Sequence, residues 1–192
     1  CVMAKIHIDL SDTISTLRKQ HQKLSEKRFN RITVNAMNHT IRKARTSGVK
    51  EIRKTYGANS RIIKKHLKIN RANSIDTSAE IIARGSALPL MAFRPRQNKK
   101  GVSVRLMGKT KRINKAFIAT MKSGHTGVFA RGKYKKGKFN FRKKRTRKHG
   151  NDLQINELKT VSVPMALANN TILKHLEQKM QNDFPVRMKH LL

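Results

Sequence analysis

The chain has one cysteine, no tryptophan, four prolines and only ten acidic residues in 192. A lone Cys1 excludes an internal disulfide and any metal cage built from cysteines. No run approaches the roughly 18 apolar residues of a membrane span. The N-terminus holds no apolar signal core, because Ile6, Ile8 and Leu10 alternate with His7 and Asp9. Cys1 and Val2 precede Met3, a candidate start. The expectation is a cytoplasmic product that uses neither a disulfide nor a membrane.

Against ten acids stand 45 Lys plus Arg, a formal net charge of +35 with His neutral. The length fits one domain, or one domain with arms, at roughly 100–200 residues per domain. A hydrophobic fraction of 37% supports a modest core. The surface must then be dominated by Lys and Arg, and such a surface seeks polyanions or acidic protein faces. Nucleic acid is the first partner class to consider.

The charge is uneven. No acid lies between Glu80 and Asp152, and residues 81–151 hold 22 of the 45 basic side chains. Eleven of these crowd into Arg131–Lys148: Arg131, Lys133, Lys135, Lys136, Lys138, Arg142, Lys143, Lys144, Arg145, Arg147 and Lys148. Like charges this dense oppose compaction and favour an extended loop or hairpin. Tyr134, Phe139 and Phe141 punctuate the run and are candidates to anchor it against protein or bases. Eleven phosphate contacts would give a log–log salt slope near −10, at about −0.9 per contact. No recognition-helix or zinc-finger spacing accompanies the charge, so it argues for holding a polyanion rather than reading its sequence.

Periodicity gives an α+β fold: N-terminal helices, a small mostly antiparallel sheet with a protruding basic hairpin loop, and a long C-terminal helix. Ser11 or Asp12 caps a helix carrying Ile14, Leu17, His21 and Leu24, which resumes at Phe29, Ile32, Ala36, Met37, Ile41 and Ala44 to about Arg45. Ser47-Gly48 interrupts it before a short second helix, Val49 to Tyr56, and a third carries Ile62, Ile63 and Leu67. Residues 68–72 and 79–83 are strand-length, with 73–78 as the turn. Residues 85–100 read as an extended loop with Leu88, Leu90 and Phe93 turned inward. Gly101–Met107 alternates as a strand that Gly108 ends, while Ala116–Met121 reaches helix length only with its flanks. Strands 127–131 and 153–158 then flank the basic run. Pro164 suits a first helical turn; Met165, Ala168, Ile172, Leu176 and Met180 follow at three- and four-residue steps, and Pro185 breaks the helix. The parts are an N-terminal helical arm (1–67), an α+β core with a basic loop at 131–150 (68–163) and a C-terminal helix (164–192), one domain with arms.

No catalytic constellation emerges. The eight histidines lie at 7, 21, 39, 66, 125, 149, 175 and 190, none paired at metal-ligand spacing. The acids are thinly spread, and His125 between Gly124 and Thr126 reads as a surface or interface group. Gly108-Lys109-Thr110 lacks the upstream glycine of a phosphate-binding loop. No enzyme, cofactor or metal is expected. The eight methionines mostly fall on apolar faces, as core filling.

One combination is more specific. Residues 88–131 run Leu-Pro-Leu-Met-Ala-Phe, Gly-Val-Ser-Val, Ile-Asn-Lys-Ala-Phe-Ile and Gly-Val-Phe-Ala-Arg in order. This resembles the phage minor tail protein Z family, the tail-completion proteins of lambda-like tails. The likeness extends upstream to Ile41–Thr46, a basic helix in the family. Downstream it takes in Leu153–Leu158, Val163-Pro164 and the terminal helix with Phe184-Pro185. Where the family commonly has Pro-Gly before Ala-Phe, this chain has Asn114-Lys115; Gln154 also stands where the family has Pro.

The resemblance implies a virion protein of the tail or neck, assembled in the host cytoplasm. It would complete the head-proximal end of the tail so that the tail joins the capsid and retains or passes DNA. By analogy the chain forms a homohexameric ring and meets the tail terminator, tail tube and tape measure, with Met165, Ala168, Ile172, Leu176 and Met180 packing subunits. Six copies would carry six times +35, or +210, matching the phosphates of about 360 Å of duplex. No ring a few tens of ångströms deep encloses that much, so only a subset of cations lines a lumen. The expected subset is the 131–148 segment with Lys99, Lys100, Lys109, Lys111 and Arg112, contacting double-stranded DNA by charge or an acidic partner. Rival readings are a ribosomal-type RNA-binding protein, a basic toxin nuclease, and a different neck adaptor or terminator ring.

Overall fold

A computed structural model describes residues 2–7, 10–135, 138–141 and 155–192. The fold is α+β. Among the described residues it holds five helices and twelve strands in four small sheets. The chain divides into two units: residues 1–53, 60–86 and 162–192 form the first, and 54–59 with 87–161 the second. The first therefore takes in most of the expected N-terminal arm and all of the C-terminal one.

The first unit opens with strand β1 (Val2–His7), which the sequence reading did not assign, and helix α1 (Ser11–Gln20). The expected cap is displaced by one residue. Leu10 occupies the N-cap position with no side-chain bond, and Ser11 and Asp12 lie inside the first turn. The Asp12 carbonyl accepts from the hydroxyls of Ser15 and Thr16 instead. The break after α1 is held by Arg18, which donates to the Leu24 carbonyl at 3.1 Å and lies 5.0 Å from the centre of the Phe29 ring.

Helix α2 (Glu26–Tyr56) then runs unbroken for 31 residues, so the expected interruption at Ser47-Gly48 does not occur. Glycine inside a helix costs about 1 kcal/mol relative to alanine. Burial of Ala44, Val49, Ile52 and Tyr56 along the same stripe outweighs it. A methyl group on Gly48 would sit 3.4 Å from Leu176 Cδ1, so that turn of α2 faces a close neighbour.

Helix α3 (Ser60–His66) leads directly into β2 (Leu67–Asn70), which pairs antiparallel with β3 (Glu80–Gly85); β3 pairs on with β1. The 73–78 turn is tied by the Asn73 side chain, which accepts from the Ile75 and Asp76 amides. Asn38 on α2 both donates to and accepts from the Ala72 backbone, at 2.9 and 3.1 Å. Arg45 closes the α3–β2 junction by donating to the Leu67 and Lys64 carbonyls at 2.9 and 3.0 Å.

The C-terminal segment corrects two expectations. A five-residue helix α4 (Val163–Leu167) carries Pro164 in its first turn with Ser162 as cap, and α5 (Asn170–Leu191) restarts behind Asn169, whose side chain accepts from Thr171 N. Helix α5 also continues through Pro185. Proline removes one hydrogen bond to the carbonyl four residues back, here Gln181, an exposed residue that water reaches. Phe184 and Met188, both 0% exposed, hold the turns on either side.

In the second unit, β5 (Arg96–Asn98), β6 (Gly101–Leu106) and β7 (Lys109–Asn114) form an antiparallel sheet. Strands β8 (Ala116–Thr120), β10 (Lys138–Phe141) and β11 (Ile155–Glu157) all pair antiparallel with β9 (Thr126–Lys135). Strand β4 (Ala87–Pro89) pairs with β12 (Lys159–Ser162). Leu88, Leu90, Phe93, Val102, Val104, Val128 and Phe129 are buried. The segment at 116–121 is thus a strand, and Met107-Gly108 is a hairpin turn with φ of 52° and 74° at its two residues. Positive φ at both central positions is the geometry of a two-residue hairpin.

Two predictions follow from these junctions. Arg45→Lys loses the forked donation to two carbonyls and lowers unfolding free energy by about 1–3 kcal/mol, measured by chemical denaturation. Lys115 joins β7 to β8 with φ of 63°, the left-handed region that favours glycine; Lys115→Gly raises stability by about 0.5–1 kcal/mol in the same assay.

Candidate polyanion-contact surface

The second unit carries the acid-free span, and its sheets decide where those cations go. Edge strand β7 pairs only with β6 among the described residues. Lys109, Lys111 and Arg112 are exposed on it, and Lys99 and Lys100 are exposed at the β5–β6 turn. Lysine on an edge strand keeps the free edge from templating further strands, so part of this charge has a structural purpose. The register places Lys109 opposite Leu106, Lys111 opposite Val104 and Arg112 opposite Ser103. Side chains alternate along a strand, so Lys109 and Lys111 share one face and Arg112 takes the other. Lys111 and Arg112, at alternating positions of this edge strand, nonetheless border one groove.

The basic run begins as strand. Arg131, exposed on β9, stacks 5.8 Å from the centre of the Phe117 ring. Lys133 and Lys135 continue β9 and Lys138 starts β10. The chain folds back closely there: a Cβ on Gly132 would collide with the Asn140 carbonyl oxygen and the Phe139 ring. Asn156 donates to the Gly132 carbonyl at 2.6 Å, tying β11 to the same point. Lys136, Arg142, Lys143, Lys144, Arg145, Arg147 and Lys148 lie outside the described residues.

A groove of about 580 Å³ runs between β7 and β12. Leu90, Leu106, Ile113, Phe139 and Leu158 supply apolar lining, with Lys111, Arg112, Lys115 and Lys159 as cations. Phe139, half-buried, lines this groove and lies close to Gly132. Lys115 follows β7 directly, whereas Lys159 reaches the groove from β12, a strand distant in the chain. His125, at its turn, pairs with Glu157 at 2.9 Å and packs edge-on to Phe129.

Ile172, Leu176 and Met180, expected to pack subunits, are 2%, 0% and 3% exposed within a single chain. They belong to the chain's own core, because the four-residue steps continue through Phe184 and Met188. Met165 and Ala168 are exposed.

The first unit holds a second concentration of cations, on α2. His39 there is held below the usual imidazole pKa of 6.5, first by burial and then by Arg187, Lys43 and Arg42, with Asp183 opposing. Among the described residues no group of three His, Cys, Asp or Glu side chains could hold a metal ion, and no helix is long and apolar enough to cross a membrane.

Within this α+β frame of exposed cations, residues 10–192 match the family described as prophage minor tail protein Z (GPZ). The chain belongs to that family, whose members are structural components of the phage tail. No curated protein and no solved structure matches the chain.

The His39 environment has a pH consequence. Its folded pKa lies below the unfolded value, so the unfolded chain binds the proton more readily. The stability this contributes is present above about pH 6.5 and is lost as pH falls through that value toward the folded pKa. Melting temperature should rise between about pH 5 and 7, and His39→Gln should flatten the rise.

Proposed function

We propose that this phage tail protein completes the head-proximal end of the tail, enabling head–tail joining and the retention or passage of DNA. It performs no chemistry; it assembles as a homohexameric ring, incorporated in the host cytoplasm, and meets the tail terminator, tail tube and tape measure. DNA is contacted by charge without reading sequence. The observation that carries this reading is the acid-free span, in which 22 basic side chains follow one another with no acid to neutralise them. On the sheet of β5–β7 and at the start of the basic run, Lys99, Lys100, Lys109, Lys111, Arg112 and Arg131 are exposed.

The groove between β7 and β12 adds protein contact to this reading. Apolar lining beside a basic rim suits an acidic, partly apolar segment of a neighbouring tail protein. Subunit packing in the ring would draw on exposed apolar groups, such as Met165 at 59% and Val186 at 69% exposure, since the inner α5 stripe is occupied.

The test is charge reversal of Arg142, Lys143, Lys144 and Arg145 to Glu in the phage, scoring joined, DNA-retaining particles by electron microscopy. Unjoined tails or DNA-leaking heads are expected, and unchanged joining and retention would reject the role of this segment. In purified protein, loss of four phosphate contacts should reduce the salt slope of DNA binding by about 3.6.

A further inference from the structure

We propose that the outward face of α2, where it meets α5 in the first unit, is a separate binding site for the phosphodiester backbone of duplex DNA. The inference rests on the reading of the chain as a tail protein that meets DNA, and it places a contact outside the acid-free span.

A groove of about 480 Å³ lies on this face. Its α2 side presents His39, Arg42, Lys43, Thr46 and Lys50. Their steps of three, four, seven and eleven residues from His39 put them on one side of the helix, over about 17 Å of axis. Lys179 contributes from α5, and Ser47 completes the lining. Two features of α2 separate these cations from the structural ones. Arg45 turns the other way and spends its guanidinium on the Leu67 and Lys64 carbonyls. Arg42, Lys43 and Lys50 take part in none of the ion pairs found among the described residues.

The nearby acids are accounted for. Asp183 lies 3.6 Å from Lys179, and Glu51 is 4.0 Å from His175. Arg42 donates through Nε to the Asn38 carbonyl at 2.8 Å, which orients its guanidinium. His39 Nδ1 is buried with no hydrogen-bond partner, a cost that a bound acceptor or donor would relieve.

The chemistry of the lining selects the occupant. Every lining residue is basic or hydroxylic and none is apolar. The apolar part of this lining is the aliphatic stems of its Lys and Arg side chains, with no Leu, Ile, Met or aromatic pocket to anchor a protein segment, whereas the core of a protein interface is depleted of charge. A phosphodiester chain offers a row of anionic oxygens with no such requirement, and Lys, Arg, Ser and Thr are its usual partners. Helix α2 packs by its opposite stripe into the core, so it lies along the backbone rather than entering a groove to read bases. The contact is therefore independent of sequence.

The experiment uses the full chain and a 30-base-pair duplex of mixed sequence, with binding followed by fluorescence anisotropy across a salt series. Arg42→Glu, Lys43→Glu and Lys50→Glu are combined. A control reverses Lys19, Lys23 and Lys27, exposed residues on α1, after it and on the first turn of α2, with the same change in net charge. The groove variant should reduce the salt slope by about 2.7 and weaken binding on the order of a hundredfold at 0.1 M salt, well beyond the control. A milder set, Arg42→Gln with Lys43→Gln and Lys50→Gln, should move the same way and guards against misfolding. In the unaltered chain, adding duplex should raise the His39 titration midpoint seen by NMR. If groove and control variants weaken binding equally, the site is wrong while DNA contact elsewhere stands. If the unaltered chain shows no salt-dependent binding, the underlying DNA reading falls as well. Stronger protection of His39 by a polyglutamate peptide than by duplex would overturn the choice of occupant.

Discussion

With 45 basic and 10 acidic side chains, this chain cannot neutralise itself. Among the described residues three ion pairs form, two of them with histidine. Exposed pairs of this kind contribute about 0–1 kcal/mol each, far too little to organise a fold under mutual repulsion. The architecture separates the two demands instead. Apolar stripes on α2 and α5 and the inward faces of small sheets make the core, while cations are placed on exposed helix faces, an edge strand and hairpin turns. A few are used as donors to backbone carbonyls, as Arg18 and Arg45 are. Many of the others remain exposed on the surface.

Elements with strong periodicity are legible in the sequence: the strands near 68–72 and 79–83, the strand from Gly101, and the pairing of Phe129–Arg131 with Ile155–Glu157, residues 153 and 154 of that expected strand lying outside the described residues. Elements set by tertiary contact are not. Gly48 and Pro185 carry the local signals of helix ends, but buried neighbours on either side keep both helices continuous. Strand β7 is Lys-Thr-Lys-Arg-Ile-Asn, with almost no apolar signal, because an edge strand exposed along its length has nothing to bury. Its partner β6 and the Met107-Gly108 turn define it. At Lys115 the chain adopts a conformation suited to glycine, which nothing in the local residue pattern signals.

The candidate surface was legible as charge and illegible as geometry. Counting residues locates the acid-free span but does not reveal that Lys111 and Arg112 alternate along one edge strand that borders a groove. Nor does it reveal that Lys115 and Lys159 join Lys111 in one groove. The α5 stripe at 172, 176 and 180 looked like a subunit interface because amphipathic helices in an intramolecular core and at an interface share one pattern. Burial within the single chain distinguishes them. The cations on α2 were hidden for the same reason in reverse: a basic helix face is the ordinary solvated side of an amphipathic helix until the groove and its unpaired neighbours are seen.

Membership of the minor tail protein Z family and the uncompensated surface charge support the proposed role of a component that works by position and electrostatic contact. Direct imaging tests that claim best. Cryo-electron microscopy of intact virions carrying an epitope-labelled copy of the chain should place the label as a ring at the junction of tail and head, against the DNA or the tape measure. A label at the distal tip of the tail, or spaced along the tube, would contradict the account.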